Sequence, residues 1–314
     1  MPTGDPICLT TRLAGNVTLR NPVLTASGTF GYGREYADLL PLDRLGGITV
    51  KGVSPFPSAG NVPPRTCEVY GGMLNAIGLQ NPGLEKFIHD PDYLPWLRTV
   101  DTAVFVNIWG KTVEDYVTVA AALDQERQGI AGLEINISCP NIKEGGIAFG
   151  TNLQLAGKVV AAVRRATTLP LITKLSPNVS NVGDFARAVV DAGSDMVSLI
   201  NTYPALAIDI ETRRPKIGNG FGGYSGRAIK PLAVRAVFEA ARAVRAPIIG
   251  MGGIATGEDA IEFFLAGASA VAVGTAIFND PLAPLKVLAG IEAYLRRHGH
   301  RDLVEIIGKL EFPR

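Results

Sequence analysis

Leu133 to Asn141 reads LEINISCPN. Leu133, Ile135 and Ile137 recur at every second position, with Glu134, Asn136 and Ser138 between them. An extended strand would therefore carry the apolar set on one face and the polar set on the other. Pro140 has no N–H to give to a sheet ladder, so the strand is predicted to end near Cys139. A lone cysteine in a strand is commonly a small core hydrophobe. Here the neighbours point elsewhere, because Asn136, Ser138 and Asn141 would be desolvated around an inert thiol unless they bond one another or a ligand.

Outward from this stretch, short β-type runs recur: Val23 to Ala26, Gly47 to Lys51, Ala103 to Ile108, Gly132 to Ser138, Pro170 to Leu175, Asp195 to Asn201, Ala246 to Gly250 and Ala270 to Gly274. Helical patterns lie between them, over Thr112 to Gln128, Asn152 to Thr167, Val182 to Ala192, Ile229 to Val244, Gly257 to Ala266 and Leu282 to Arg297. Glu35 to Leu40 and Leu84 to Leu97, the latter broken by Pro91 and Pro95, would serve as the first two helices. Strands alternating with helices imply right-handed βαβ units and a parallel sheet, and eight such units imply closure into an α/β (β/α)8 TIM barrel. No linker of biased composition splits residues 1–314, so a single domain is expected. Two connections, about 52–82 and 203–226, are far longer than usual. Both follow strand C-terminal ends, the catalytic face of such barrels, and are expected as long loops over that face.

The 314 residues are 47% hydrophobic and include 36 glycines, which suits a folded protein with many tight turns. Lys and Arg total 30 against 29 acidic residues, and a net charge of +1 gives no electrostatic reason to expect nucleic acid or an anionic membrane as partner. Cys8, Cys67 and Cys139 are scattered, without a C-x-x-C pair, and His89, His298 and His300 do not cluster with acidic ligands. Neither a disulfide framework nor a metal site is expected, and a reducing, cytoplasmic setting is. The first residues lack a charged segment followed by an apolar one, and no run approaches about 20 apolar residues.

The strand ends form a coherent polar set: Ser27, Lys51, Asn107, Asn136 with Cys139, Lys174, Asn201 with Thr202, Gly252 with Gly253, and Gly274 with Thr275. Lys51 and Lys174 each close an apolar run. One such lysine could snorkel to the surface, whereas two at one rim favour an anionic ligand. Backbone N–H groups at MGGI and VGTA, on the last two strands, would cradle a phosphate where barrels commonly hold one. Gly218, Gly220 and Gly223 match the G-x-G-x-x-G spacing of dinucleotide sites, but they follow the charged turn TRRPK rather than a strand, and are expected to serve only loop flexibility.

ASGTFGYG (Ala26 to Gly33), TVKGVS (Thr49 to Ser54), MLNAIGLQNPG (Met73 to Gly83), INISCPN (Ile135 to Asn141), AIDIETRRP (Ala207 to Pro215) and GGYSGRAIKP (Gly222 to Pro231) together resemble the dihydroorotate dehydrogenase family, in particular the catalytic subunit of its type 1B branch. The resemblance covers nearly the whole chain. It implies an FMN-containing barrel that oxidises dihydroorotate to orotate in pyrimidine biosynthesis. It also implies that FMN is contacted by Ser27, Lys51, Gly52, Asn107, Asn136, Lys174, Ile200 and Gly226, with Gly252, Gly253, Gly274 and Thr275 at the phosphate. Substrate would fall to Lys51, Asn75, Ala76, Ile77, Gly78, Leu79, Asn136, Asn141, Asn201 and Thr202, and Cys139 matches the catalytic base. Type 1B further implies a partner subunit with FAD and a 2Fe-2S cluster that passes electrons to NAD, in a heterotetramer of two catalytic and two electron-transfer chains. Tyr203 to Leu206 departs from the family's usual glycine and methionine there. Two alternatives are the type 1A enzyme, which reduces fumarate alone, and a lyase or isomerase barrel for a phosphorylated metabolite. A thiolate suits the base role because an ordinary cysteine pKa of about 8.5 lies near working pH and neighbouring lysines lower it.

Overall fold

A computed structural model describes residues 7–14, 16–138 and 149–313 of the chain. Cys139 and Asn141 lie outside the described residues. In chain order the strands that build the site are β1 (Val23–Thr25), β2 (Gly47–Val53), β3 (Thr66–Val69), β4 (Gly72–Asn75), β5 (Ala103–Ile108), β6 (Gly132–Asn136), β7 (Leu171–Lys174), β8 (Met196–Leu199), β9 (Tyr203–Ala205), β10 (Gly222–Ser225), β11 (Ile248–Met251) and β12 (Ala270–Val273). Eight of them close a parallel barrel in the order β1-β2-β5-β6-β7-β8-β11-β12 and back to β1. These are the eight runs predicted, with half of their ends trimmed by one or two residues and two ends extended, to Val53 and Met251. The outer helices are α1 (Leu84–His89), α2 (Leu94–Leu97), α3 (Val113–Gln125), α4 (Leu153–Ala166), α5 (Val182–Asp191), α6 (Lys230–Ala243), α7 (Gly257–Ala266), α8 (Ala276–Asn279) and α9 (Ala283–His298). Thr112 with Asp115 and Thr256 with Asp259 form capping boxes that start α3 and α7 where the sequence pattern starts them. Glu35 to Leu40 is less regular than expected, since only Arg34–Tyr36 forms a single 3-10 turn.

The barrel separates two apolar layers. Val23, Ile48, Val104, Val106, Leu133, Ile135, Val197 and Val271 pack outward against the helices, all at most 1% exposed. Leu24, Phe105, Ile172, Met196, Ile249 and Ala270 form a second cluster that plugs the interior. One step further along the same strands the interior turns polar, with Thr49, Asn107, Glu134, Asn136, Lys174 and Ser198 all buried. Because side chains alternate along a strand, this layer follows from register, which sets Asn107 opposite Glu134 and Lys174 opposite both Asn136 and Ser198.

The two long connections cover the C-terminal face as expected, but as a sheet rather than as loops. Residues 52–82 contribute β3 and β4, residues 203–226 contribute β9 and β10, and the four pair as an antiparallel sheet in the order β9-β10-β4-β3. Tyr203 to Ala205, where the sequence departs from the family pattern, is the strand β9 in that sheet. Gly223 is also more than a flexible residue. It lies within β10, where a Cβ would fall 2.1 Å from Thr202 Oγ1. No described helix is long and apolar enough to cross a membrane.

Candidate functional site

Between the polar layer and the four-stranded sheet lies a cavity of about 1030 Å³ at the C-terminal ends of the barrel strands. That is at the upper end of the range for small-molecule sites. Its floor is a hydrogen-bonded array. Lys174 Nζ donates to Ser27 Oγ at 3.0 Å and stands 3.8 Å from Glu134 Oε2. Asn107 Nδ2 donates to the same carboxylate oxygen at 2.5 Å, and Ser198 Oγ donates to the other at 2.7 Å. Lys174 does not sit at the rim, as its place after an apolar run suggested, but is 5% exposed.

Beside it, Ser138 donates through its backbone N and its Oγ to Asn136 Oδ1, at 3.3 and 2.9 Å. Asn201 Nδ2 donates to Ser138 Oγ at 2.6 Å, and Tyr116 Oη donates to the Asn136 carbonyl at 2.8 Å. The polar face of β6 thus satisfies part of its bonding internally, which removes the desolvation penalty that its sequence raised. What remains unpaired can face a ligand.

Lys51 enters from β2, with its backbone N–H held by the Gly31 carbonyl at 2.8 Å. Burial is the main cause that holds its ammonium below the ordinary lysine range. Glu35 opposes that shift and Arg65 adds to it. The far wall is Asn75 to Leu79, with Asn75 Nδ2 donating to the Gly223 carbonyl at 3.3 Å and so locking β4 to β10. Leu79 holds φ at 55°, a left-handed conformation unusual for a bulky side chain.

At the opposite end the wall is backbone. Gly226, Gly252 and Gly253 have φ values of 112°, 122° and 81°. Gly226 crosses the hairpin between β3 and β4 so closely that a Cβ would stand 2.5 Å from Gly72 Cα. Thr275 Oγ1 donates to Ser225 Oγ at 2.9 Å across the cavity's edge.

All the cofactor and substrate residues expected within the described segments line this one cavity. They are Ser27, Lys51, Gly52, Asn107, Asn136, Lys174, Ile200, Gly226, Gly252, Gly253, Gly274 and Thr275, with Asn75, Ala76, Ile77, Gly78, Leu79, Asn201 and Thr202. Residues that sequence reasoning passed over are Glu134 and Ser198 beneath the floor and Ser225 at the edge. Glu134 carried a signal, since it falls on the polar face of LEINISCPN. Ser198 carried none, because a serine in a buried strand is as often structural.

Fold and cavity together define an α/β-barrel of the ligand-binding kind, with its site above the C-terminal strand ends and roofed by its own insertions. The chain belongs to the dihydroorotate dehydrogenase family, whose model, described as "Dihydroorotate dehydrogenase", matches residues 8–295. A relative from Geotalea uraniireducens (strain Rf4), "Dihydroorotate dehydrogenase B (NAD(+)), catalytic subunit", is 55% identical over 96% of this chain and 98% of its own. One of the same description from Alkaliphilus oremlandii (strain OhILAs) is 53% identical over 94% and 96%. A third, from Solibacter usitatus (strain Ellin6076), is "Putative dihydroorotate dehydrogenase A (fumarate)", 52% identical over 97% and 99%. Among solved structures, the enzyme from Eimeria tenella in complex with ferulenol superposes with a TM-score of 0.79 at 23% identity, covering 96% of this chain and 88% of its own. That likeness speaks to the fold alone.

Proposed function

We propose that the chain, read as one domain over residues 1–314, oxidises dihydroorotate to orotate in pyrimidine biosynthesis in the cytoplasm, with FMN as its resident cofactor and NAD as final acceptor through a partner subunit. The observation that carries the reading is the polarity of the cavity at the C-terminal strand ends. A buried ammonium among amides occupies its floor, a glycine-lined backbone shelf occupies one end, and an asparagine-rich wall occupies the other. A flavin mononucleotide would suit that order, its phosphate held by Gly252, Gly253, Gly274 and Thr275 and its ring by Lys174, Asn107 and Asn136.

When bound, FMN would accept the hydride that leaves C6 of dihydroorotate. The chain's own residues supply the rest. Lys174 holds positive charge where negative charge gathers. Asn75, Asn136 and Asn201, with Asn141 outside the described residues, offer both donors and acceptors to a ring whose edge alternates carbonyl and N–H. Lys51 places a cation against the substrate carboxylate. Cys139, also outside the described residues, is assigned as the base that takes the C5 proton. The C5 proton would end on the Cys139 thiol and the product released would be orotate.

Electrons must then leave. The three cysteines of these 314 residues, Cys8, Cys67 and Cys139, are one short of the four thiolates an iron-sulfur cluster normally takes. The NAD(+) naming of the 55% identical relative supports a separate subunit, to which FAD and a 2Fe-2S cluster are assigned, in a two-by-two assembly. The Solibacter usitatus relative's name favours fumarate instead, and one experiment separates the two. Purified alone, the chain should be yellow with FMN and reduce a redox dye with dihydroorotate but not NAD, and adding the electron-transfer subunit should produce NAD reduction. Efficient turnover with fumarate by the lone chain would assign the fumarate type. A colourless protein that FMN cannot reconstitute would overturn the flavin reading in favour of a phosphorylated-metabolite lyase or isomerase.

A further inference from the structure

Glu134 is a buried carboxylate to which the reaction assigns no task. It is 2% exposed and lies inside the barrel beneath the cavity floor. Its two oxygens accept from Asn107 at 2.5 Å and Ser198 at 2.7 Å, and its Oε2 faces Lys174 Nζ at 3.8 Å. Among the described residues it is the one acidic partner of Lys174, whose hydrogen bond goes to the neutral Ser27.

Packing and hydrogen bonding alone do not call for a charge here. A glutamine of the same shape would accept from Asn107 through its oxygen and donate to the Ser198 hydroxyl, which rotates to suit. It would do so without desolvating an anion, which is expensive even when paired. What glutamate adds over glutamine is therefore negative charge. That charge lies 3.8 Å from the ammonium to which the cofactor ring is assigned.

We propose that Glu134 is a positioning residue that sets the reduction potential of the bound flavin by balancing Lys174. The proposal rests on the reading that the cavity holds FMN. Hydride uptake adds one negative charge to the flavin ring, and a positive floor stabilises that form. Glu134 offsets the floor's charge and limits that stabilisation, so the electrons stay transferable to a further acceptor. It also fixes the Asn107 amide, because a carboxylate only accepts. The Asn107 NH2 group must turn to Glu134, leaving Oδ1 on the side of Gly52, where a Cβ would come within 2.8 Å of it.

The test is the two-electron midpoint potential of FMN bound to the full chain, measured by equilibration with dyes of known potential, alongside the dissociation constant of oxidised FMN. Glu134→Gln should bind oxidised FMN within about threefold of the parent and favour the reduced flavin tenfold or more, a rise of about 30 mV or more for a two-electron couple. Ser198→Ala removes a hydrogen bond to the same carboxylate but no charge, and should move the potential by less than a third of that. Glu134→Asp keeps the charge and should also stay near the parent, which keeps the test decisive if the glutamine variant does not fold. An unmoved or lowered potential in Glu134→Gln, an equal rise in Ser198→Ala, or a tenfold rise in Glu134→Asp would overturn the proposal. A parent chain that binds no FMN would instead overturn the flavin reading, and with it the role given to Glu134.

Discussion

Thr275, just past the last barrel strand, donates through Oγ1 to Ser225 Oγ at 2.9 Å, and so ties the barrel rim to the sheet that roofs the cavity. A single hydrogen bond of this kind contributes about 0.5 to 1.5 kcal/mol. Ser225→Ala should therefore lower the stability of the apoprotein by about that amount, and weaken FMN binding by up to about 12-fold because the edge it holds is loosened. Fluorescence titration of FMN checks it, and an affinity equal to the parent's would remove Ser225 from the site.

Gly252 and Gly274 differ in why they are glycine. A Cβ at Gly252 would fall 2.9 Å from Ala233 Cβ with φ at 122°, so it collides with α6 rather than with a ligand. A Cβ at Gly274 would meet nothing closer than Ala26 at 3.4 Å, an ordinary contact within the cavity lining. Gly252→Ala should lower apoprotein stability by about 1 to 3 kcal/mol. Gly274→Ala should fold like the parent and lose FMN affinity by an order of magnitude. Thermal melts and FMN titrations of both variants would expose a reversed pattern.

As the cation assigned to the substrate carboxylate, Lys51 should give orotate binding a pH limb. Burial holds its ammonium below 10.5, so the cation is lost at lower pH than for an ordinary lysine, and an anionic ligand then binds less well. Affinity for orotate should fall as pH rises toward that range, and Lys51→Met should be weaker but flat there. The same shift has a stability sign. Between the folded value and 10.5 the unfolded chain holds more protons at this site, so Lys51's contribution makes the apoprotein more stable as pH rises across that window. Calorimetric titration of orotate from neutral to alkaline pH reads the first effect.

Tyr32 is 8% exposed and its hydroxyl has no hydrogen-bond partner among the described residues. Burial pushes its phenol well above the ordinary range, with Tyr93 and Glu35 adding to the shift. Tyr32→Phe removes a desolvated hydroxyl and keeps the ring packed edge-on to Tyr93 at 4.9 Å. Stability should rise by about 1 kcal/mol. A fall of that size in chemical denaturation would show that the hydroxyl is bonded.

Cys139→Ser tests the assigned base. Serine ionises far less readily than cysteine, so flavin reduction by dihydroorotate in stopped flow should slow by orders of magnitude and recover in part at high pH, with FMN still bound. Reduction near the parent rate at neutral pH would rule the thiol out.

The barrel was legible because parallel strands buried on both faces leave apolar runs of fixed length between capped helices. Thr112 and Thr256 mark their helix starts in the sequence as plainly as in the structure. The floor was legible for the same reason, since alternation places Asn136, Lys174 and Asn107 on the inner face. The roof was not. β4 and β10 pair through Asn75 and Gly223, 148 positions apart, and no local pattern encodes a partner that distant. Glu134 was visible as a polar residue, but its importance comes from Asn107, Ser198 and Lys174, which register alone brings to it.

That same roof sets an order of events during synthesis. The hairpin of β3 and β4 emerges from the ribosome about 148 residues before the strand that completes it, roughly 7 to 30 seconds at ordinary elongation rates. Throughout that interval one of its edges is an unpaired template, exposed to wrong partners. Whatever the cavity encloses is therefore sealed in late, and a nascent chain stalled before Gly222 would display an open bowl with half a cover.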